Sequence, residues 1–307
     1  MSENIIKDEK LNEFLNDKKC VHILNPYTYG FMAAINKNRK IMPNTVYMTL
    51  KYIDLFDKYL YYYHPSSTIK DIDETHIEKY KVFCKHKLKN SNKTINSKLI
   101  ALKKFFNYLT KSLNIYKFNF MLNVSYLKNE KENPPTVISV NNLKILFAKM
   151  RDYRYGVRDI CISKIILQTG LKIQDILNIE MNQISISDKL LTINSTNGNT
   201  AYSLSSVLMK ELMDYLEVRK SFDTNNSKYL FLSQRGNKYS IRSYQMFFDE
   251  AVQRCQFDIP YSPRNLRSTF LYRMSTLVNK NKLKEISNQN SIKQYYELSS
   301  NPLRDLI

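Results

Sequence analysis

A chain of 307 residues with 43% apolar content, 23 Tyr and 15 Phe can build two globular cores, which excludes the disordered and fibrous classes. Its 47 Lys and Arg against 28 Asp and Glu leave a formal charge of +19, an excess that favours a polyanionic partner with releasable counterions. The charged opening MSENIIKDEKLNEFLNDKK lacks the apolar core of a signal peptide, and no stretch approaches the roughly 18 uncharged apolar residues of a membrane span.

Residues 1–40 have mixed polarity and a turn-like NPYTYG segment, and they read as an N-terminal extension. A helical domain is expected over 41–127. Its first helix opens at Pro43, a residue suited to a first helical position, and Val46, Leu50, Ile53, Phe56 and Leu60 form one apolar face. A second helix begins near Asp73 and carries Ile77, Tyr80, Val82 and Phe83. A third runs from Lys93 to about Leu113, with Ile95, Leu99, Leu102, Phe106 and Leu109 as its stripe. Its polar residues Asn96, Lys98, Lys103 and Lys104 are candidates to lie against nucleic-acid phosphates.

The charged stretch at 128–138 contains Pro134-Pro135, which forbids helix, and reads as a linker. A second domain is expected over 139–307. Ser139 is a plausible N-cap for a helix through Met150, and one or two helices follow over 157–181. The period then falls to near two: LLTINST and NTAYSL flank Asn197-Gly198, a dipeptide suited to the centre of a tight hairpin turn. Helices resume over Ser206–Lys220, Ile241–Cys255 and Leu266–Leu277. The expected fold is mostly α with a small antiparallel β-sheet. Cys20, Cys84, Cys161 and Cys255 form no C-x-x-C pair and read as reduced thiols of a cytoplasmic protein, with neither zinc nor disulfides.

Four stretches of the second domain, taken in order, resemble the tyrosine recombinases, the phage-integrase and chromosome-dimer-resolution group. They are Thr169-Gly-Leu-Lys-Ile-Gln-Asp175, the hairpin at Asn197-Gly198, Ser262-Pro-Arg-Asn-Leu-Arg-Ser-Thr-Phe270 and Ile292-Lys-Gln-Tyr-Tyr296. The first domain is similar to the family's helical core-binding domain through Pro43-Asn-Thr and the segment 94–109. The resemblance implies a core-binding (SAM-like) domain followed by an α+β catalytic domain, with double-stranded DNA as partner and further copies of the chain on it. It also implies a tyrosine that attacks a phosphate held by two arginines, with a hairpin lysine and a histidine or tryptophan moving protons. The covalent phosphotyrosine conserves bond energy, so no metal or nucleotide cofactor is implied.

Carried over residue by residue, Arg267 matches the second clamp arginine and Tyr296 the nucleophile, with Tyr295 the less favoured register. Lys172 replaces the first arginine, and a point charge cannot form the planar fork. Arg264 replaces the histidine of the P-H-x-L-R pattern, and Asn288 or Ser287 occupies the last cage position. All four histidines lie at or before residue 86, the chain has no Trp, and no Lys or Arg lies between Lys189 and Lys210. Asp175 matches a buttressing carboxylate. The remaining cations Lys172, Arg264 and Arg267 suit phosphate binding better than proton transfer. The leading expectation is therefore a sequence-specific DNA-binding protein without efficient cleavage, serving replication or maintenance of a plasmid or mobile element. The alternative is an active, divergent recombinase with a 3′-phosphotyrosyl intermediate at Tyr296. An RNA-binding or structural protein would leave the four ordered motifs unexplained.

Overall fold

The computed structural model describes residues 23–37, 41–128, 130, 134–195, 198–222, 226–287, 292, 294 and 295. The chain divides into two compact units, Met1–Glu132 and Asn133–Ile307. No helix among the described residues is long and apolar enough to cross a membrane.

The first unit contains helices α1 (Asn25–Lys37), α2 (Pro43–Tyr63), α3 (Glu74–His86) and α4 (Asn92–Lys111). Pro43 stands in the first turn of α2. Asp73 caps α3 by accepting from the His76 amide at 3.2 Å, and Ser91 caps α4 by accepting from the Thr94 amide at 3.2 Å. The apolar stripes meet in one core, where Ile53, Phe56, Leu60, Ile77, Leu99, Leu102, Phe106 and Leu109 are inaccessible to solvent.

Helix α1 corrects the expectation of an extension through residue 40. Leu24 and Phe31 are buried in the same core, with Phe31 edge-on to Phe105 at 5.3 Å. The N-terminus of α1 is held by a group 33 residues away. The buried Asp57 carboxylate accepts the amides of Ile23, Leu24 and Asn25 at 2.9–3.0 Å, placing negative charge at the positive end of the helix dipole. The Asn-Pro pair that reads as a turn instead starts a helix.

The second unit contains α5 (Val140–Arg151), α6 (Gly156–Thr169), α7 (Ile173–Leu177), α8 (Ser206–Lys220), α9 (Ile241–Cys255), α10 (Pro263–Ser275) and α11 (Lys280–Ser287). Ser139, Ser205 and Ser240 each accept a backbone N–H at the starts of α5, α8 and α9. Helix α6 is apolar around most of its circumference and lies centrally, packed by α5, α8 and α10. Ile160, Cys161, Ile162 and Ile165 on α6 are inaccessible.

A three-stranded antiparallel sheet in the order β1 (Ile184–Ser185), β2 (Leu190–Ser195), β3 (Gly198–Ser203) completes the unit. Its register pairs Ser195 with Gly198. Gly198 therefore belongs to the strand and not to the turn as expected; Thr196 and Asn197 lie outside the described residues. Cross-strand pairing of Leu191 with Tyr202 sets this register, because Leu191 is inaccessible in the core while Tyr202 is half-buried. The fold is mostly α-helical with one small antiparallel sheet.

Candidate functional site

The site is assembled at the C-terminus of α6. Thr169 is buried there; its hydroxyl donates to the Ile165 carbonyl at 2.7 Å and accepts from the Leu171 amide at 3.2 Å. Gly170 follows in the left-handed conformation, φ +65°, and its amide closes the last turn on the Ile166 carbonyl at 2.8 Å. A Cβ at this position would stand 2.2 Å from the Phe270 ring, so backbone angle and packing both require glycine. The chain turns out of α6 and places Lys172, exposed, at the N-cap of α7.

The opposing wall is the start of α10. Ser262 and Pro263 open the helix, and Asn265 ties it down. The Asn265 side chain accepts from the Ser262 amide at 2.7 Å and hydroxyl at 3.0 Å, and donates to the Thr136 carbonyl at 3.1 Å. Leu266 and Thr269 are inaccessible, and the Thr269 hydroxyl accepts from the Ile138 amide at 2.9 Å. With those side chains committed to the interior, Arg264 and Arg267, three residues apart, share the remaining face. Arg267 reaches across and donates to the Gly170 carbonyl.

Lys172, Arg264 and Arg267 consequently line one pocket of about 330 Å³, together with Ile166, Leu171, Ile173, Gln245, Ser262 and Pro263. Three cations converge, and among the described residues no carboxylate side chain lines the pocket. Burial lowers the Arg267 pKa from its ordinary value, while the nearby Tyr295, Asp175 and Tyr202 push it back up. The guanidinium keeps its proton at any physiological pH. Burial raises the Tyr202 phenol, with Asp175 adding to the rise and Arg267 opposing it. Asp175 thus acts electrostatically behind Arg267. Such a pocket suits a tetrahedral oxyanion.

Tyr295 is buried among Phe270, Leu271, Leu283 and Ile292, yet close enough to Arg267 to act on that guanidinium electrostatically. Tyr296 and Asn288 lie outside the described residues. Gln245 on α9 and Tyr202 on β3 are site neighbours that sequence reasoning missed. Each is one polar or aromatic residue on a partly exposed face, with no local pattern to single it out.

The first unit sorts the other candidates. Lys104 is exposed, and Lys103 is half-buried with its ammonium 5.9 Å from the centre of the Tyr126 ring. Asn96 is a tether: its side chain donates to the Leu127 carbonyl and accepts from the Leu127 amide, both at 2.8 Å. Lys98 corrects the expectation of a phosphate contact, because it is 3% exposed and its ammonium faces Asn90 and Cys84 inside the unit.

The profile of the Phage integrase family matches residues 136–299, and that of the Phage integrase N-terminal SAM-like domain matches residues 29–112. The chain belongs to the phage integrase family. The tyrosine recombinase XerC of Caldanaerobacter subterraneus subsp. tengcongensis is 24% identical over 97% of this chain and 85% of its own length. Among solved structures, the Tn1549 transposon integrase in complex with transposon right end DNA superposes with a TM-score of 0.70 at 15% identity, covering 93% of this chain and 96% of that one. A lambda integrase dimer bound to a COC′ core site gives a TM-score of 0.69 at 13% identity, covering 93% and 80%. The SAM-like match begins at residue 29, within α1, in agreement with the place of that helix in the first core. Both pocket-wall segments, Thr169–Asp175 and Ser262–Phe270, fall within the residues matched to the Phage integrase family.

Proposed function

We propose that this protein is a sequence-specific double-stranded DNA-binding protein on the tyrosine recombinase scaffold, without efficient strand cleavage. The observation that carries this reading is the convergence of Lys172, Arg264 and Arg267 on one pocket in a unit that contains neither histidine nor tryptophan. Three permanent cations hold a phosphate. Moving the proton of an attacking tyrosine or a leaving sugar oxygen takes a group that titrates, and each such group contributes about 10²–10⁴-fold to a rate. We assign the role to replication or maintenance of a plasmid or other mobile element, in keeping with a transposon integrase among the structural neighbours. The linker between the two DNA-binding halves ends before Thr136, whose carbonyl is held by Asn265, since Ile138 already packs in the second core. Further copies of the chain share the site, as the lambda integrase dimer does on its DNA.

One observation favours a second reading. Arg267 is held in place against Gly170, which a divergent but active recombinase using Tyr296 also requires. The test starts with selection of the bound sequence from random duplexes. A nicked suicide duplex carrying that sequence then traps any covalent adduct. The expected result is tight, salt-sensitive binding, no adduct, and unchanged behaviour of Tyr296→Phe. An adduct that disappears in Tyr296→Phe establishes the active recombinase instead.

A further inference from the structure

The first unit buries a lysine beside a thiol. Lys98 on α4 is 3% exposed, and its Nζ lies 3.4 Å from Sγ of Cys84 on α3 and 2.5 Å from Oδ1 of Asn90. Cys84 is inaccessible, and no carboxylate is among the groups that interact with Lys98 in the described structure. One helical turn before Cys84, the buried Tyr80 hydroxyl interacts with the thiol. The Tyr80 ring also faces the Lys98 ammonium at 5.7 Å. An isolated ammonium is costly to bury, so the amine is drawn toward its neutral form. Burial lowers the Lys98 pKa and raises that of Cys84, and each group opposes the shift of the other.

We propose that Cys84 and Lys98 are an oxidative cross-linking site, joined by a sulfur–nitrogen bond when the protein meets a peroxide. The amine first takes the thiol proton while sulfur attacks one oxygen of hydrogen peroxide. The O–O bond breaks, and the departing hydroxide recovers that proton from Nζ as water. Sulfur is oxidised to the sulfenic acid and the peroxide is reduced. The neutral Lys98 amine then attacks the same sulfur and displaces hydroxide, which leaves with an amine proton as a second water. The product is a sulfenamide between α3 and α4, at the cost of one peroxide. Sulfenic acids condense with nearby nitrogen in this manner, and the closed environment shields the intermediate from further oxidation. Two thiols reverse the bond, returning amine and thiol with one disulfide.

The site is tested on the full chain by brief hydrogen peroxide treatment, alkylation of remaining thiols and peptide mass mapping. The expected product is the Cys84 peptide joined to the Lys98 peptide, at the sum of their masses less two hydrogen atoms. It is absent after dithiothreitol, absent when the chain is oxidised in urea, and absent in Lys98→Met. A second variant, Lys98→Gln, checks the result if Lys98→Met does not fold. The melting temperature of the oxidised protein rises by about 5 °C, because the link constrains the unfolded chain. Three outcomes overturn the proposal: Cys84 recovered as a thiol while Cys255 reacts, Cys84 recovered as sulfinic acid beside unmodified Lys98, or a link heavier by one oxygen.

Discussion

The two ends of α6 each carry an arginine site, and the two are built to opposite ends. At the N-terminal end Arg158 is 5% exposed and two of its N–H groups meet Asp159 Oδ2, at 3.2 and 2.8 Å. A third N–H donates to the Leu232 carbonyl at 3.0 Å, and the guanidinium stacks 3.6 Å from the centre of the Tyr239 ring. Every part of that cation is answered from within the fold. At the C-terminal end, an Arg267 N–H donates to the Gly170 carbonyl, and Arg267 shares its pocket with Lys172 and Arg264. Neither of those two enters an ion pair among the described residues. The same residue type is thus a structural clamp where a carboxylate neutralises it, and in the function proposed above an anion receptor where cations accumulate. Net charge does not distinguish the two.

The most severe break in this comparison is Arg158→Ala. It strands the Asp159 carboxylate, which is inaccessible to solvent, and removal of one partner from a buried pair costs about 3–5 kcal/mol. Urea unfolding should show that loss, while DNA affinity per folded molecule stays at the wild-type value. A pH series sharpens the point. Burial pushes Asp159 up to about 6, against the opposing pull of Arg158. A carboxyl raised on folding favours the fold fully below its unfolded pKa near 3.8, and that contribution is lost as pH rises through about 6. The stability difference between wild type and Asp159→Asn should therefore change between pH 4 and 6 and level off above it. A difference that is flat across this window would show that Asp159 is ionised throughout.

Neutralising the other end should leave stability nearly intact and remove binding. Lys172→Gln with Arg264→Gln touches only exposed side chains, and adding Arg267→Gln completes the set. With charged hydrogen bonds worth about 1.5–3 kcal/mol each, the triple variant should lose at least about 10²-fold in DNA affinity. The slope of log affinity against log salt should fall by about one, for the one phosphate the pocket holds. An unchanged slope in a folded triple variant would mean that the three cations do not meet DNA.

Gly170→Ala probes the hinge on which the receptor is built. The left-handed backbone and the Phe270 ring 2.2 Å from a Cβ both oppose it. The expected cost is about 2–3 kcal/mol, with DNA binding weakened as Lys172 and Arg267 move apart. A stable variant that binds normally would show that the pocket tolerates rearrangement at this turn.

What the sequence revealed follows from how local each structure is. The segments around Thr169–Asp175 and Ser262–Phe270 open with local caps and turns, so their motifs point directly to the pocket walls. The stripes of α2 and α4 are likewise legible, because a helical face repeats every three to four residues. Helix α1 escaped because its cap, Asp57, lies 33 residues further on. Gln245 and Tyr202 escaped because separate elements bring them to the site. Lys98 was misplaced for a different reason. It stands three residues after Ile95 and four before Leu102, on the apolar stripe itself, and its residue type was given more weight than its position.

That contrast within α4 yields the smallest expected effect. Ile100, Lys104, Asn107 and Lys111 share the exposed face of the helix, whereas Lys98 points into the unit. Lys104→Gln should reduce the salt slope of DNA binding by about one and weaken affinity by a few-fold at most, uniformly across sequences. Its melting temperature should stay unchanged, since surface substitutions are usually within about 0.5 kcal/mol. Lys98→Met should do the reverse. It removes the hydrogen bond to Asn90 and the contact with Cys84, altering stability while leaving the salt slope alone. Salt titrations of the two variants beside wild type, on one duplex, decide the matter. If Lys98→Met flattens the slope as much as Lys104→Gln does, the buried lysine reaches DNA, and the division between structural and receptor cations fails in the first unit.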